Sequence, residues 1–153
     1  MLIETSRFGP LEVDVDEIIE FPAGILGFED YKKYVLLEHK PGSHFRYLQS
    51  MEEPELTFVL IDPRSFRPDY RVELSSSSLG ELQVTEASEV EVYAIVTIPG
   101  EVTAMTANLQ APVLINTGVR LGQQIVLTDG QYGLRHKIME ELAQLPQAQR
   151  KTG

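Results

Sequence analysis

The sequence contains neither cysteine nor tryptophan, and the lack of cysteine excludes disulfide bonds and thiolate metal sites. No apolar run approaches the roughly 20 residues that a membrane-spanning helix requires. Catalytic motifs are missing as well, because the chain has no G-x-S-x-G, no P-loop and no G-x-G-x-x-G. Its N-terminus, MLIETSRFGP, lacks the basic and apolar regions of a signal peptide. The sequence therefore predicts a cytoplasmic protein that is not an enzyme and does not contact a membrane.

Side chains that could hold a metal or a cofactor are scattered. The three histidines lie in different segments, and only His39 and His44 could meet, across a Pro-Gly turn. Carboxylates cluster at 14–20 and 52–55, but without the glycine-bearing geometry of a calcium loop they are typical of a solvated edge. We expect no metal and no cofactor. Two alternatives stay open: a hydrolase whose carboxylates converge in a cleft, and a barrel whose unfilled interior binds a small molecule.

Basic residues are also scarce, since 13 Lys and Arg face 23 Asp and Glu and the net charge is −10. Such a surface repels phosphate backbones, which predicts no direct binding of nucleic acid, and it favours a basic protein partner. The alternative is that the charge only keeps the protein soluble; in either case it opposes self-association and predicts a monomer. We call six glutamates of the most acidic region the acidic face and take them as candidate partner contacts: Glu73, Glu81, Glu86, Glu89, Glu91 and Glu101.

Strand patterns dominate the chain, which is expected to form a single domain over 1–146. Alternating or β-branched apolar residues predict strands at 11–15, 34–39, 45–50, 56–62, 90–98, 101–109, 113–117 and 119–128. Gly122 suggests a bulge or bend in the last of these. Asp129-Gly130 is a hairpin signal that would pair this strand with a short one through Tyr132. The pattern predicts a mostly β fold, a small antiparallel barrel-like domain.

Helical patterns are few. Residues 27–33 are consistent with a turn or two of helix, and 75–83 suit a short helix with a serine as N-cap. The clearest case is 134–145, where Leu134, Ile138, Met139, Leu142 and Leu145 form one apolar stripe. This C-terminal α-helix either packs across the barrel or binds a partner. Residues 147–153 are polar and are expected to be a disordered tail.

Several short motifs, taken in order, resemble one known family. They are FPAGILGFEDY at 21–31, LQS at 48–50, TANLQAP and LIN between 106 and 116, and Arg120 with Gly122-Gln123. Together they closely resemble the flagellar assembly factor FliW family, from about residue 2 to about residue 140. The resemblance implies a non-enzymatic cytoplasmic regulator that binds flagellin. When free of flagellin, such a protein binds and antagonises the translational repressor CsrA, which allows flagellin synthesis.

The stretch TANLQAPVLIN at 106–116 carries no charge, which is unusual in so acidic a chain. Pro112 lacks an amide hydrogen and predicts a break between two strands. Asn108 and Asn116 are candidates for satisfying backbone groups at that break. The alternative is that both asparagines form a neutral patch that pairs with a partner's backbone.

The loop FPAGILGF at 21–28 poses a similar choice. Phe21, Ile25, Leu26 and Phe28 are too apolar for a free loop, yet two glycines deny them a regular strand. They either plug one end of the barrel or form a dock for an amphipathic flagellin helix. The candidate contacts are Ile25, Leu26, Phe28 and Glu29. We expect Phe21 to belong to the core and Phe28 to the contact surface.

Overall fold

The computed structural model describes residues 1–146 of the chain, and the tail predicted at 147–153 lies outside them. The strands are β1 (Leu2–Thr5), β2 (Gly9–Glu12), β3 (Ile18–Glu20), β4 (Lys33–Glu38), β5 (Phe45–Ser50), β6 (Thr57–Ile61), β7 (Glu91–Thr97), β8 (Thr106–Asn116), β9 (Leu121–Gln124) and β10 (His136–Lys137). The α-helices are α1 (Ser76–Glu81) and α2 (Ile138–Gln144), and short 3-10 helices occupy Val15–Glu17, Pro63–Ser65, Ala87–Glu89 and Val102–Ala104. Within the described residues, no helix has the length and apolar character needed to cross a membrane.

Seven strands close into a barrel in the order β8-β7-β6-β5-β4-β3-β9, and β9 then pairs with β8. Neighbouring strands are antiparallel except β3 and β9, which meet in parallel at Glu20 and Leu121. Strand β10 extends the sheet beside β8, while β1 and β2 form a separate hairpin. The prediction of a mostly β, barrel-like fold with a C-terminal helix is confirmed.

The barrel strands bury side chains on both faces, because successive residues of a strand point in opposite directions. One buried cluster includes Tyr34 and gathers apolar side chains from one face of β3 to β8 and from the loop after β3. A second cluster forms on the other face of β6 to β8, under the segment 63–72 and α2, with Phe66, Tyr70 and Ile138. The Tyr70 hydroxyl donates to the Leu109 carbonyl at 2.7 Å, which ties the covering segment to β8.

The predicted strands at 34–39, 45–50, 56–62 and 90–98 match β4 to β7 to within one residue at each end. The predicted break at Pro112 is wrong, because β8 runs unbroken from Thr106 to Asn116. The irregularity lies in its pairing with β7, where the register shifts between Tyr93 and Ile95. The proline has no amide hydrogen to pair, and its carbonyl accepts the Ile125 amide at 3.1 Å.

Some local predictions are also wrong. Strand β9 pairs regularly with β8 across Gly122 and ends at Gln124, so there is neither a bulge nor a hairpin at Asp129-Gly130. The C-terminal helix begins only at Ile138, because the two residues before it pair with β8. The segment 27–33 contains turns up to residue 30 rather than a helix, and Lys33 already belongs to β4. Residues 11–15 enter a 3-10 helix after the strand ends at residue 12. The serine cap of α1 is present as predicted, at Ser75.

Candidate functional site

The loop 21–28, which follows β3, has an inner half that belongs to the core. Phe21 and Ile25 are 0% and 1% exposed. The rings of Phe21 and Tyr34 meet edge-on, with 5.3 Å between their centroids. A Cβ atom at Gly122 would overlap the Phe21 ring, so this glycine makes room for the loop. Ile25, one of the predicted contacts, therefore has no surface to offer a partner in this conformation.

One glycine and one glutamine fix the path of the loop. Gly24 has a φ of +71°, and a Cβ atom there would lie 2.7 Å from the Cα atom of Glu29, so a larger residue does not fit. On the side of β9, the Leu26 amide donates to Oε1 of Gln124 at 2.9 Å. Strand β9 thus runs alongside the loop and holds its outer half in place.

The outer half of the loop presents two apolar side chains to solvent. Leu26 is 58% exposed and Phe28 is 40% exposed. The buried side of Phe28 meets Phe58 edge-on at 5.2 Å between ring centroids. The loop is therefore both a plug and an exposed surface, with the two roles divided between its halves.

A cleft of about 480 Å³ adjoins the exposed ring, and we call it the loop cleft. It is lined by Gly27, Phe28, Glu29, Asp30, Tyr31, Glu53, Glu55 and Leu56, with no lysine or arginine among these residues. The Glu29 carboxylate accepts the Gly27 amide at 3.1 Å. This bond, followed by one from its own amide, lowers the pKa of Glu29, so its charged form is favoured. The cleft combines an aromatic anchor with four carboxylates.

Of the four carboxylates of this cleft, only Glu29 was predicted from the sequence. Asp30 was not singled out, and Glu53 and Glu55 were expected to form a solvated edge. In an antiparallel meander, alternate connections lie at the same end of the sheet. The β3–β4 and β5–β6 connections satisfy that rule, and they meet at the loop cleft. The strands predicted at 34–39, 45–50 and 56–62 already imply that these two connections lie at the same end of the sheet.

The two asparagines of the uncharged stretch satisfy backbone groups. The Oδ1 atom of Asn108 accepts the amides of Gln110 and Ala111, each at 3.0 Å. Asn116 is buried, and its Nδ2 atom donates to the Leu82 carbonyl at 2.8 Å while Oδ1 accepts the Gly118 amide at 3.0 Å. These bonds support the structural role of both asparagines, and contact of either with a partner stays a prediction.

The acidic face divides into two parts. Four of its glutamates lie between β6 and β7 and Glu91 is the first residue of β7, while Glu101 lies beyond the other end of β7. All six are exposed. Some carboxylates are engaged locally: Glu89 accepts the amides of Thr85 and Glu86 at 2.6 and 3.1 Å, which lowers its pKa. Glu73 makes no side-chain hydrogen bond or ion pair within residues 1–146.

The C-terminal helix is attached to the barrel by a cluster that sequence analysis did not anticipate. The Glu141 carboxylate meets the Arg67 guanidinium at 2.9 Å and Nδ1 of His136 at 2.7 Å. Ile138 is fully buried beneath it. These contacts support the interpretation that α2 packs across the barrel. In the described residues, no group of three or more His, Asp or Glu side chains is arranged to hold a metal ion.

The fold and the loop define a closed β-barrel that presents an apolar loop beside carboxylates. The sequence profile of the family described as "FliW protein" matches residues 2–138. The chain belongs to the FliW family.

Individual relatives and a solved structure agree with this assignment. The flagellar assembly factor FliW of Alkaliphilus metalliredigens (strain QYMF) is 38% identical over 153 residues, which cover 99% of this chain and 94% of that protein. The flagellar assembly factor FliW of Desulfitobacterium hafniense (strain DSM 10664 / DCB-2) is 43% identical over 141 residues, or 92% of this chain and 93% of that protein. A crystal structure of the flagellar assembly factor FliW is similar with a TM-score of 0.84 and 39% identity, covering 90% of this chain and 96% of that one.

Proposed function

We propose that this protein is a non-enzymatic cytoplasmic regulator of flagellar assembly that binds flagellin. When it is free of flagellin, it binds and antagonises the translational repressor CsrA, so that flagellin synthesis proceeds. The observation that carries the proposal is the match of residues 2–138 to the FliW family, together with relatives named as flagellar assembly factors over nearly the whole chain.

The loop is the proposed contact for flagellin. An amphipathic helix lays its apolar stripe in a groove, and the exposed sides of Leu26 and Phe28 supply apolar surface for such a stripe. Carboxylates of the loop cleft lie beside Phe28. They suit a helix whose apolar stripe is flanked by basic side chains, because complementary charges steer the encounter.

The acidic face is the proposed contact for CsrA. An RNA-binding protein needs a positive potential to attract phosphates. An acidic protein seated beside it lowers that potential without occupying the RNA contacts themselves. Four glutamates between β6 and β7, a fifth at the first position of β7 and the overall charge of −10 support this electrostatic route.

Co-purification tests the proposal directly. The tagged protein is expected to retain flagellin and CsrA separately, and added flagellin is expected to release CsrA. Retention of neither protein refutes the proposal, and simultaneous retention of both refutes the competition between them.

Charge variants and salt test the electrostatic route. Glu73→Gln combined with Glu86→Gln is expected to slow CsrA association and to flatten its dependence on salt. Glu4→Gln is the matched control, since this exposed carboxylate of β1 lies outside the acidic face. Unchanged kinetics for the double variant, or antagonism of RNA binding that does not weaken as salt is raised, refutes the electrostatic route.

A further inference from the structure

A cleft on the side of the barrel is lined by two arginines and by several aliphatic side chains. Its volume is about 350 Å³, and it lies between the segment 71–74 and the chain that leads into β7. We call it the arginine cleft, and its principal lining residues are Arg64, Arg71, Val72, Leu74, Val90 and Val92.

Neither arginine is paired with a carboxylate within residues 1–146. The Nε atom of Arg64 donates to the Tyr70 carbonyl at 3.1 Å, which orients the guanidinium and leaves its charge unpaired. Arg71 makes no side-chain hydrogen bond or ion pair in this part of the chain. Two guanidinium groups therefore line one cleft with donors available to a ligand.

The glutamates nearest in sequence to this cleft are Glu73, between Val72 and Leu74, and Glu91, between Val90 and Val92, and neither of them lines it. The Glu91 carboxylate accepts the Tyr93 hydroxyl at 2.5 Å. Glu89 accepts the amides of Thr85 and Glu86, and the Glu86 carboxylate accepts the Ser88 hydroxyl at 2.8 Å. Unpaired arginines are unexpected in a protein with a net charge of −10, where carboxylates are abundant. Three of these glutamates are held by local hydrogen bonds, and Glu73 does not line the cleft, so both guanidinium groups stay unpaired.

We propose that the arginine cleft binds an acidic segment of a protein partner, in which a carboxylate side chain lies beside an aliphatic one. Arginine matches the planar geometry of a carboxylate and pairs with it through two hydrogen bonds. The floor of valine and leucine side chains suits an adjacent aliphatic side chain. A phosphate-rich nucleic acid fits less well, because it offers no such side chain and the rest of the surface repels it.

The arginine cleft is separate from the loop cleft. It binds an acidic segment, whereas the partner proposed for the acidic face is basic. The proposal goes beyond flagellin and CsrA as the named partners and does not rest on them. If the arginine cleft binds no acidic segment, the co-purification results are unaffected. If co-purification retains neither flagellin nor CsrA, the proposal for the arginine cleft is unaffected.

A chemical-shift titration of the full-length ¹⁵N-labelled protein tests the proposal. The probe is a short acetylated peptide in which Glu and Leu alternate. We expect shifts confined to residues 64–74 and 87–92. A peptide that alternates Glu and Ser is expected to bind at least several-fold more weakly, and one that alternates Lys and Leu is expected not to bind there.

Arg71→Gln is the informative variant, because it removes a side chain without internal partners and should leave the remaining spectrum unchanged. Binding of the Glu-Leu peptide is expected to weaken about tenfold, as for the loss of a hydrogen bond between charged groups. Arg135→Gln, an exposed arginine outside the cleft, is the matched control and should bind as the parent does.

Three results overturn the proposal. The first is the absence of shifts in the arginine cleft with the Glu-Leu peptide. The second is equal binding by Arg71→Gln and the parent. The third is binding of inorganic phosphate, oligouridylate or the Glu-Ser peptide at least as tight as that of the Glu-Leu peptide, since the cleft would then be a general anion site.

Discussion

Phe28 is the position at which flagellin binding and folding are best separated. Phe28→Ala removes an aromatic side chain with an apolar area of about 200 Å². Since 40% of the residue is exposed, about 80 Å² is available to a partner. At about 25 cal/mol per Å², burying that area contributes about 2 kcal/mol to binding, which corresponds to about a thirtyfold increase in Kd on truncation.

The folding cost of the same substitution is limited by its contact with Phe58. The buried part of the side chain, about 120 Å², corresponds to an upper bound of about 3 kcal/mol of unfolding free energy. Phe21→Ala instead leaves a cavity in the core and should cost about 3–5 kcal/mol of stability, with flagellin affinity retained. Leu26→Ala, at a more exposed position, should weaken binding with a smaller loss of stability than either.

The assay is a flagellin titration at a temperature well below the melting point of each variant, beside urea unfolding of the same samples. A soluble Phe28→Ala variant that binds flagellin with unchanged Kd refutes the assignment of this ring to the contact. If Phe21→Ala and Phe28→Ala lose affinity and stability in the same ratio, the division of the loop into a core half and a contact half is wrong.

Three further predictions concern the barrel and its assembly. Tyr34 has a fully buried hydroxyl without a hydrogen-bond partner in the described residues, and burial raises its pKa to about 12. Tyr34→Phe should therefore stabilise the protein by about 1 kcal/mol. Tyr70→Phe loses a buried hydrogen bond and should destabilise the protein by about as much, so equal melting temperatures of the two variants contradict this prediction. Gly122→Ala pushes a methyl group into the Phe21 ring and should cost about 2 kcal/mol, while Gly100→Ala, with open space around it, should cost far less in the same urea unfolding experiment. Light scattering should show a monomer at micromolar concentration, and a stable dimer refutes the argument from net charge.

The strands that form the centre of the barrel could be predicted from sequence because each has its own alternating or β-branched pattern. Strand β5 coincides with its prediction at 45–50. The failures occur where a distant segment decides the conformation. His136 and Lys137 carry a helical pattern, but they pair with Ala107 and Thr106 of β8 instead. No local signal could reveal that partner.

Prediction of the loop succeeded in part for the same reason. The glycines at 24 and 27 excluded a regular strand, and the apolar residues around them indicated either a plug of the barrel end or a contact surface. The sequence placed Phe21 in the core and Phe28 at the surface, but it could not separate Ile25 from Leu26, because the burial of one and the exposure of the other depend on where β9 passes. The Gln124 side chain that holds the Leu26 amide lies 98 positions away in the chain.

The exposed ring of Phe28 is connected to the core through a row of aromatic side chains. It meets Phe58 at 5.2 Å between centroids, Phe58 lies 6.1 Å from Tyr34, and Tyr34 lies 5.3 Å from Phe21. Close-packed rings leave each other few alternative rotamers. A partner that docks on Phe28 therefore meets a side chain that is already ordered. Binding then costs less conformational entropy than it would if the loop were free. The buried half of the loop thus supports binding without touching the partner, because Phe21 holds in place the row of rings that ends at the exposed Phe28.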